Sequence, residues 1–430
     1  MKVLKFGGGI IINSDAAERM AAIIKDHSDD DLVIVVSALN KMTNAFEGLV
    51  NAYVNNPAAV PEKLKIIRDY HYSFAEGLFK NKNHEIFRDM DRMFTELETY
   101  MQTPTASFYN FEYDQIVSYG EQLSSAIISR ALSKFGVEHK LFDARDLVRT
   151  DSHFCAAVVN TELTDEAVRA NLSTYFREET GKKKVALTQG FIGSSVKNET
   201  TTLGREGSDF TAAILAFVLN ASEVIIWKDV PGILTADPDL FKDVRKIDRL
   251  SYHEAMMMAY YGAKVVHPKT IRPLQTKNIP LYVRPFYNPE GDGTKVHGEA
   301  EEVNKVTSFM VKKDQALVSV FPSEFSFITS EDISNIFSLL HKYALSVNIM
   351  QNTAFRFSFC ITDNIDKTGG LLKNLDASFK TDCTKGLEVT TIRHYTEEDI
   401  EKVTLGKNIL MEQRSSDTVQ YVIEPDEKDN

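Results

Sequence analysis

The most restrictive stretch of the chain is its beginning. Val3 to Phe6 is a short apolar run that stops at three consecutive glycines, Gly7-Gly8-Gly9. A polar segment with Asn13, Ser14 and Asp15 then leads into a helical stretch from about Ala16 to Asp26. Leu32 to Ser37 follows as a Val/Ile-rich run. Unbroken apolar runs of this kind belong in parallel sheets whose two faces are both covered. Strand, helix and strand in such quick succession form a βαβ unit, which commits the chain to an α/β architecture.

The remainder elaborates that start. Residues from about Pro61 to Met101 are helix-forming, charged and nearly free of glycine, a helical excursion from the sheet with Tyr70, Phe74 and Leu78 on a packed face. Alternation resumes with a helix around Gly120 to Phe135, a strand near Lys140 and another at Lys184 to Thr188. A hairpin-like stretch from Gly190 to Gly207 precedes a helix from Ser208 to Asn220, and Val224 to Trp227 is again a buried-strand pattern. The helix through Tyr252 to Tyr261 carries Met256 to Met258, of which at least one is expected near the surface. Turn chemistry at Asn288 to Gly293 and the acidic run ending at Glu302 mark a domain boundary. Beyond it, a strand at Ala316 to Phe321, a helix from about Ser330, and strands at Ser346 to Met350 and Phe355 to Ile361 open a small antiparallel sheet with helices on one side. A shorter pattern of the same kind continues to Ile423, and the acidic tail Glu424 to Asn430 reads as frayed.

With 430 residues the chain is long enough for roughly two to four domains. Charged residues at 26% and hydrophobic residues at 43% exclude disordered and low-complexity material. No apolar run approaches a membrane span, and no signal-peptide apolar region precedes the glycines, so a cytoplasmic protein is expected. The net charge of −12, without a block of like charges, argues against nucleic acid as a partner. Cys155, Cys360 and Cys383 are far apart and form no CxxC pair, so reduced core thiols are expected rather than a disulfide framework or zinc site.

Four segments carry chemistry. Lys5-Phe6-Gly7-Gly8-Gly9 sits at a strand end, where glycines let the backbone approach an anion and Lys5 adds a full charge. The same three glycines also suit a plain tight turn, and neither GxxxxGK[ST] nor GxGxxG is present. Thr202 to Asp209 places Arg205 between glycines and opens a helix, with Ser208 as N-cap and Asp209 in the first turn. Capping alone would explain the last two, whereas the fork of Arg205 suits a carboxylate or phosphate. Trp227 to Ile233, continuing through Thr235 to Pro238, reads as a strand end followed by a Pro231-Gly232 turn. Gly262 to Pro268 sets Lys264 in an apolar segment, where a solvated lysine is the plain reading.

Taken together and in order, these segments resemble the aspartate kinases of the amino-acid kinase family. Lys5 to Gly9 is similar to the family's opening K-[FY]-G-G-[ST]. Val35-Val36-Ser37-Ala38 with Thr43 resembles its V-V-S-A segment and following threonine, and Ser118 to Ser124 its S-x-G-E-x-[LW]-[SA] helix start. Thr188 to Gly193, Thr202 to Asp209, Asp229 to Pro238 and Gly262 to Pro268 complete the series. The resemblance implies an amino-acid kinase fold over residues 1–300, a mostly parallel central sheet between helices with the excursion at about 61–101. It also implies tandem α+β, ferredoxin-like ACT domains over 301–430, the second module short.

The implied activity is transfer of the ATP γ-phosphoryl group to the side-chain carboxylate of L-aspartate, giving 4-phospho-L-aspartate, the first step towards lysine, threonine and methionine. Lys5 and Asp209 are the implied catalytic pair, Asp209 organising Lys5 or the metal region. Gly7, Gly8 and Gly9 would cradle the phosphates faced by Lys5 and Lys264, with Asp229 and Leu234 near the nucleotide. Thr43, Glu121 and Arg205 would bind aspartate, Arg205 at the α-carboxylate and Glu121 near the ammonium, with Ser37 lining the same site. Mg²⁺ would be held mainly by phosphates and water rather than by a protein metal site. Lysine or threonine would be candidate effectors at the ACT region, which would also form a homodimer.

The chain departs from the family pattern in places. Gly9 stands where a hydroxyl residue is usual, Lys228 where a small hydroxyl residue is common, Asp239 where arginine often follows Asp-Pro, Pro285 in the place of an asparagine, and Asn348 in the place of an aspartate. Two other readings stay open at this level: a catalytically silent amino-acid sensor, and a sibling kinase acting on another carboxylate.

Overall fold

The opening segment folds as a βαβ unit. Strand Lys2–Phe6 is followed by helix Ser14–Asp26 and strand Leu32–Val36, and the two strands pair in parallel with Phe6 opposite Val36. The helix begins where the Asn13 side chain accepts the Ala16 N–H, and it buries Ala16, Ala17, Met20, Ala21, Ile23 and Ile24. The computed structural model describes residues 1–103, 108–178, 181–263, 266–298 and 305–425. Over these the chain divides into two compact units, one of Met1–Ile233, Asp248–Met256 and Val266–Glu302, the other of Leu234–Ile247, Met257–Val265 and Val303–Asn430.

In the first unit the sheet runs in the order Lys140–Phe142, Val185–Gln189, Leu32–Val36, Lys2–Phe6, Glu223–Lys228, Leu281–Pro285, Thr294–His297, Arg249–Ser251. All neighbours pair in parallel except Leu281–Pro285 with Thr294–His297. Strands Leu32–Val36 and Lys2–Phe6 are therefore central, and every residue of Leu32–Val36 is buried. One face packs Phe6, Ile34, Val36, Leu187 and Trp227 against helical residues such as Met20, Phe46 and Ile127. Each fully buried side chain of this size stabilises the fold by about 1.5–3 kcal/mol relative to exposure. The excursion forms helices Val60–Leu78 and Glu85–Gln102, whose Ile67, Phe74, Ile86 and Phe94 join the same core.

Several expectations need correction. The helix expected to begin near Gly120 spans Tyr109–Lys134, so Gly120 lies inside it. Its glycine serves close packing instead: a Cβ there would stand 3.2 Å from the Phe46 ring and 3.4 Å from Ala38 Cβ. Ser208 is not an N-cap. The helix spans Gly207–Leu219, and its N-cap is Glu206, whose φ of 56° is left-handed and whose side chain makes no cap bond. Strand Thr294–His297, within the stretch read as a boundary, belongs to the first sheet. Of the three free thiols, Cys360 is buried while Cys155 and Cys383 are half-buried.

The second unit holds an antiparallel sheet in the order Val347–Asn352, Phe357–Thr362, Ser308–Pro322, Phe379–Arg393, Thr418–Ile423, Ile409–Arg414. Two strands of 15 residues, Ser308–Pro322 and Phe379–Arg393, run through both halves of it. In one half, helices Ser330–Lys342 and Ile365–Leu375 cover Val318, Val320, Phe359 and Ile361. In the other half, helix Glu397–Thr404 contributes Val403 and Ile400 to a cluster with Ile392, Val419 and Tyr421. Residues 308–312 pair with 389–393, so the short second half borrows its fourth strand from the chain that precedes the first half. Residues 426–430 of the acidic tail lie outside the described residues.

Candidate active site

Strands Lys2–Phe6 and Glu223–Lys228 lie side by side, with Phe6 opposite Trp227. Their carboxyl ends deliver Gly7 and Lys228 to the same edge, the position at which open α/β sheets bind ligands. The glycine loop turns with Ile10 N–H on the Gly7 carbonyl, and the Asn40 N–H reaches the Gly8 carbonyl. Gly8 must be glycine, because a Cβ would stand 2.1 Å from the Ala38 carbonyl oxygen. Gly9 has room for a side chain, which would meet only Lys41 Cε at 3.5 Å.

Lys5 is buried at the end of its strand, and its Nζ lies 2.6 Å from Asp209 Oδ1. Asp209 is 1% exposed in the first turn of helix Gly207–Leu219. That turn leans on Gly190, where a Cβ would be 2.5 Å from Ser208 Cβ. Lys228 Nζ stands 3.4 Å from Asp209 Oδ2 and 3.6 Å from Glu206 Oε2. Burial works against the Asp209 charge, but Lys5 and Lys228 outweigh it and hold the carboxyl well below the usual range. Glu206 moves the other way: burial pushes it up to about 7 against the pull of Lys228. A chain of net charge −12 thus gathers two ammonium groups beside a helix N-terminus.

Glu121 approaches from helix Tyr109–Lys134. The helix is fastened to the turn after strand Leu32–Val36 by Ser124 Oγ donating to the Ser37 carbonyl at 2.6 Å, and by the Gly120 contacts already described. Glu121 is 2% exposed, and its Oε2 has no hydrogen-bond partner among the described residues. Burial pushes its pKa up to about 8, opposed by Lys5 and by the Ala38 backbone. An unpartnered buried carboxyl oxygen calls for a cationic or hydrogen-bonding ligand.

The structure brings Lys5, Gly7, Gly8, Gly9, Ser37, Glu121 and Asp209 into one neighbourhood. Thr43 lies half-buried in the first turn of helix Met42–Asn55, directly after Asn40 and Lys41, whose φ angles of 42° and 56° are both left-handed. Two consecutive non-glycine residues in that region carry strain of a kind that concentrates at functional sites. Arg205 is exposed on the loop before helix Gly207–Leu219, and Asp229 is exposed just past strand Glu223–Lys228. Leu234 belongs to the second unit, where it bridges Lys246. Lys264 lies outside the described residues. Sequence reasoning missed Glu206 and Lys41, and treated Lys228 only as a departure. The glycines on both sides of Arg205-Glu206 were the available signal for a left-handed backbone there. Among the described residues no cluster of three or more His, Cys, Asp or Glu could hold a metal ion, and no helix is long and apolar enough to cross a membrane.

The amino acid kinase family model matches residues 1–285. Lysine-sensitive aspartokinase 3 of Escherichia coli is 31% identical over 402 residues, covering 91% of this chain and 86% of that protein. The crystal structure of E. coli aspartokinase III in complex with aspartate and ADP (R-state) is similar with a TM-score of 0.85 at 28% identity, covering 98% of this chain and 96% of that one. The same enzyme in complex with lysine and aspartate (T-state) is similar with a TM-score of 0.80 at 28% identity, over 99% and 96% of the two chains. The family match over residues 1–285 and the 31% identity to an aspartokinase along most of both chains place the protein in the amino acid kinase family and, within it, among the aspartokinases.

Proposed function

We propose that the protein phosphorylates the side-chain carboxylate of L-aspartate with ATP, releasing ADP and 4-phospho-L-aspartate. The observation that carries the reading is one edge of the sheet with two complementary ends. Lys5 and Asp209 under the glycine loop suit a polyphosphate, and the unpartnered carboxyl of Glu121 suits an ammonium. Similarity to an enzyme solved with aspartate and ADP supports the same assignment.

The chemistry needs little from side chains that transfer protons. The aspartate carboxylate, with a pKa of about 4, is already ionised at neutral pH and attacks phosphorus directly. As its oxygen–phosphorus bond forms, the bond to the bridging oxygen breaks and ADP leaves. The barrier is the approach of one anion to another, so positioning and fixed positive charge dominate. Lys5 offers its ammonium to the phosphates, and Asp209 positions it. Backbone N–H groups of Gly7 to Gly9 line the phosphate path. Glu121 takes the substrate ammonium, Arg205 its α-carboxylate, and Thr43 and Ser37 its remaining polar atoms. Mg²⁺, when bound, would supply further charge neutralisation, held mainly by the phosphates and water. The same reading takes the ACT-type sheet as the site of a homodimer and of a lysine or threonine effector; similarity to an aspartokinase solved with lysine supports the lysine part.

The test is ADP release with L-aspartate, L-glutamate or N-acetyl-aspartate, with and without lysine or threonine. Turnover on aspartate alone is expected. Equal turnover on N-acetyl-aspartate, which lacks the ammonium, would refute the role of Glu121; equal turnover on glutamate would refute selection for aspartate, and no turnover on any of them would refute the kinase reading.

A further inference from the structure

We propose that Lys228 is a further nucleotide-binding residue, a second buried ammonium directed with Lys5 at the polyphosphate; the inference rests on the aspartate-kinase reading above. Three observations carry it. Lys228 ends the strand beside Lys2–Phe6, so it flanks the first glycine of the loop; a Cβ on Gly7 would lie 3.4 Å from Lys5 Nζ and 3.7 Å from the Trp227 carbonyl. The two lysines grip opposite oxygens of one carboxylate, Lys5 on Oδ1 and Lys228 on Oδ2 of Asp209. Only the width of that carboxylate and the two contacts separate the ammonium groups, a span that neighbouring phosphates bridge.

The third observation concerns what the structure itself requires. Asp209 has its closest cation in Lys5, at 2.6 Å. Lys228 stands further off, at 3.4 and 3.6 Å, longer than the 2.7–2.9 Å or so of a tight charge-assisted bond. Charge holds it near both Asp209 and Glu206. Glu206, which completes this placement, adopts a left-handed backbone that is strained for a non-glycine residue. The Lys228 side chain is 17% exposed, within reach of a ligand at the sheet edge. On the other flank of the loop Gly9 brings no side-chain donor. Lys228 supplies a charged donor on its own flank, and Asp209 and Glu206 orient it before the nucleotide arrives.

The experiment measures binding of ATP, ADP and adenosine by calorimetry, or by fluorescence of Trp227, the single tryptophan of the chain, which adjoins Lys228. Lys228→Thr is expected to weaken ATP and ADP binding about tenfold and leave adenosine unchanged, while Lys228→Arg restores most of the phosphate-dependent affinity. Raising the ionic strength should weaken ATP binding less in Lys228→Thr than in the unmodified protein. ATP affinity unchanged in Lys228→Thr, or ATP and adenosine weakened alike, would overturn the inference. Should Lys228→Thr not fold, Glu206→Gln reads the same point: releasing Lys228 from one anion is expected to tighten ATP two- to threefold with adenosine unchanged, and unchanged or weaker ATP binding overturns it. If the unmodified protein neither binds ATP nor turns over aspartate, the kinase reading itself fails. If it does both and Lys228→Thr behaves like it, only the role of Lys228 fails.

Discussion

The unpartnered carboxyl of Glu121 makes a quantitative prediction about pH. With its pKa near 8 in the free protein, only about a tenth of molecules carry the Glu121 anion at pH 7, and about three quarters do at pH 8.5. If the anion is the form that binds the substrate ammonium, apparent affinity scales with that fraction. The KM for aspartate at saturating ATP should then fall roughly eightfold between pH 7 and 8.5. Lys5, paired with Asp209, is the charged group acting on Glu121. Glu206, near 7, titrates in the same window but against Lys228 and Asp209, so Glu206→Gln should preserve the slope in aspartate. Glu121→Gln imitates the protonated side chain. It should fold as well as the unmodified protein at pH 7, lose the pH dependence, and raise KM for aspartate at least tenfold while ATP binding holds. Stability gives an independent check on sign. A native pKa above the ordinary 4.5 means that the stabilisation due to Glu121 is complete below 4.5 and lost as pH rises towards 8. Glu121→Gln should abolish that decline in chemical denaturation. A KM flat between pH 7 and 8.5 in the unmodified protein, or aspartate binding undiminished in Glu121→Gln, would refute the reasoning.

Other perturbations reach the rest of the site. Gly8→Ala drives a methyl into the Ala38 carbonyl at 2.1 Å and must move the glycine loop; kcat/KM should drop by about two orders of magnitude, and kinetics within threefold of the unmodified protein would contradict this contact. Asp209→Asn leaves Lys5 and Lys228 facing each other in a buried site and should cost about 3–5 kcal/mol in denaturant unfolding as well as nearly all turnover. Arg205→Ala, at an exposed loop position, should leave the melting temperature within about 1 °C and raise KM for aspartate, with no recovery at saturating ATP. Full activity in that variant would remove Arg205 from the substrate site.

Much of this site was legible in the sequence because its parts follow local rules. Lys5 to Gly9 announces a strand ending in a loop that approaches another backbone closely, and Gly8 against Ala38 shows why the glycine is required. Asp209 falls in the first helical turn as the capping pattern suggested, although Ser208 proved not to be the cap. Gly120 was misread for a physical reason. Glycine is both a helix breaker and a close-packing residue, and only the ring of Phe46 on the neighbouring helix decides which. The strands at Leu281–Pro285 and Thr294–His297 were hidden by the Pro and Gly turn residues between and beside them.

By itself, the order of apolar runs and glycines determined the α/β class, the parallel centre of the sheet and the small antiparallel sheet that follows, because strand and helix periodicities are local properties of the chain. The tertiary structure alone decided which charges meet. Lys5, Lys228, Glu206 and Asp209 are spread over more than 200 positions, and Lys228 was only an anomaly until the register of Phe6 with Trp227 set it beside Asp209. The same holds for Glu121, whose carboxyl is unusual only because helix packing removes it from water and gives its second oxygen no partner. Charge–charge distance and desolvation are properties of the folded arrangement, and neither can be read from residue type or spacing.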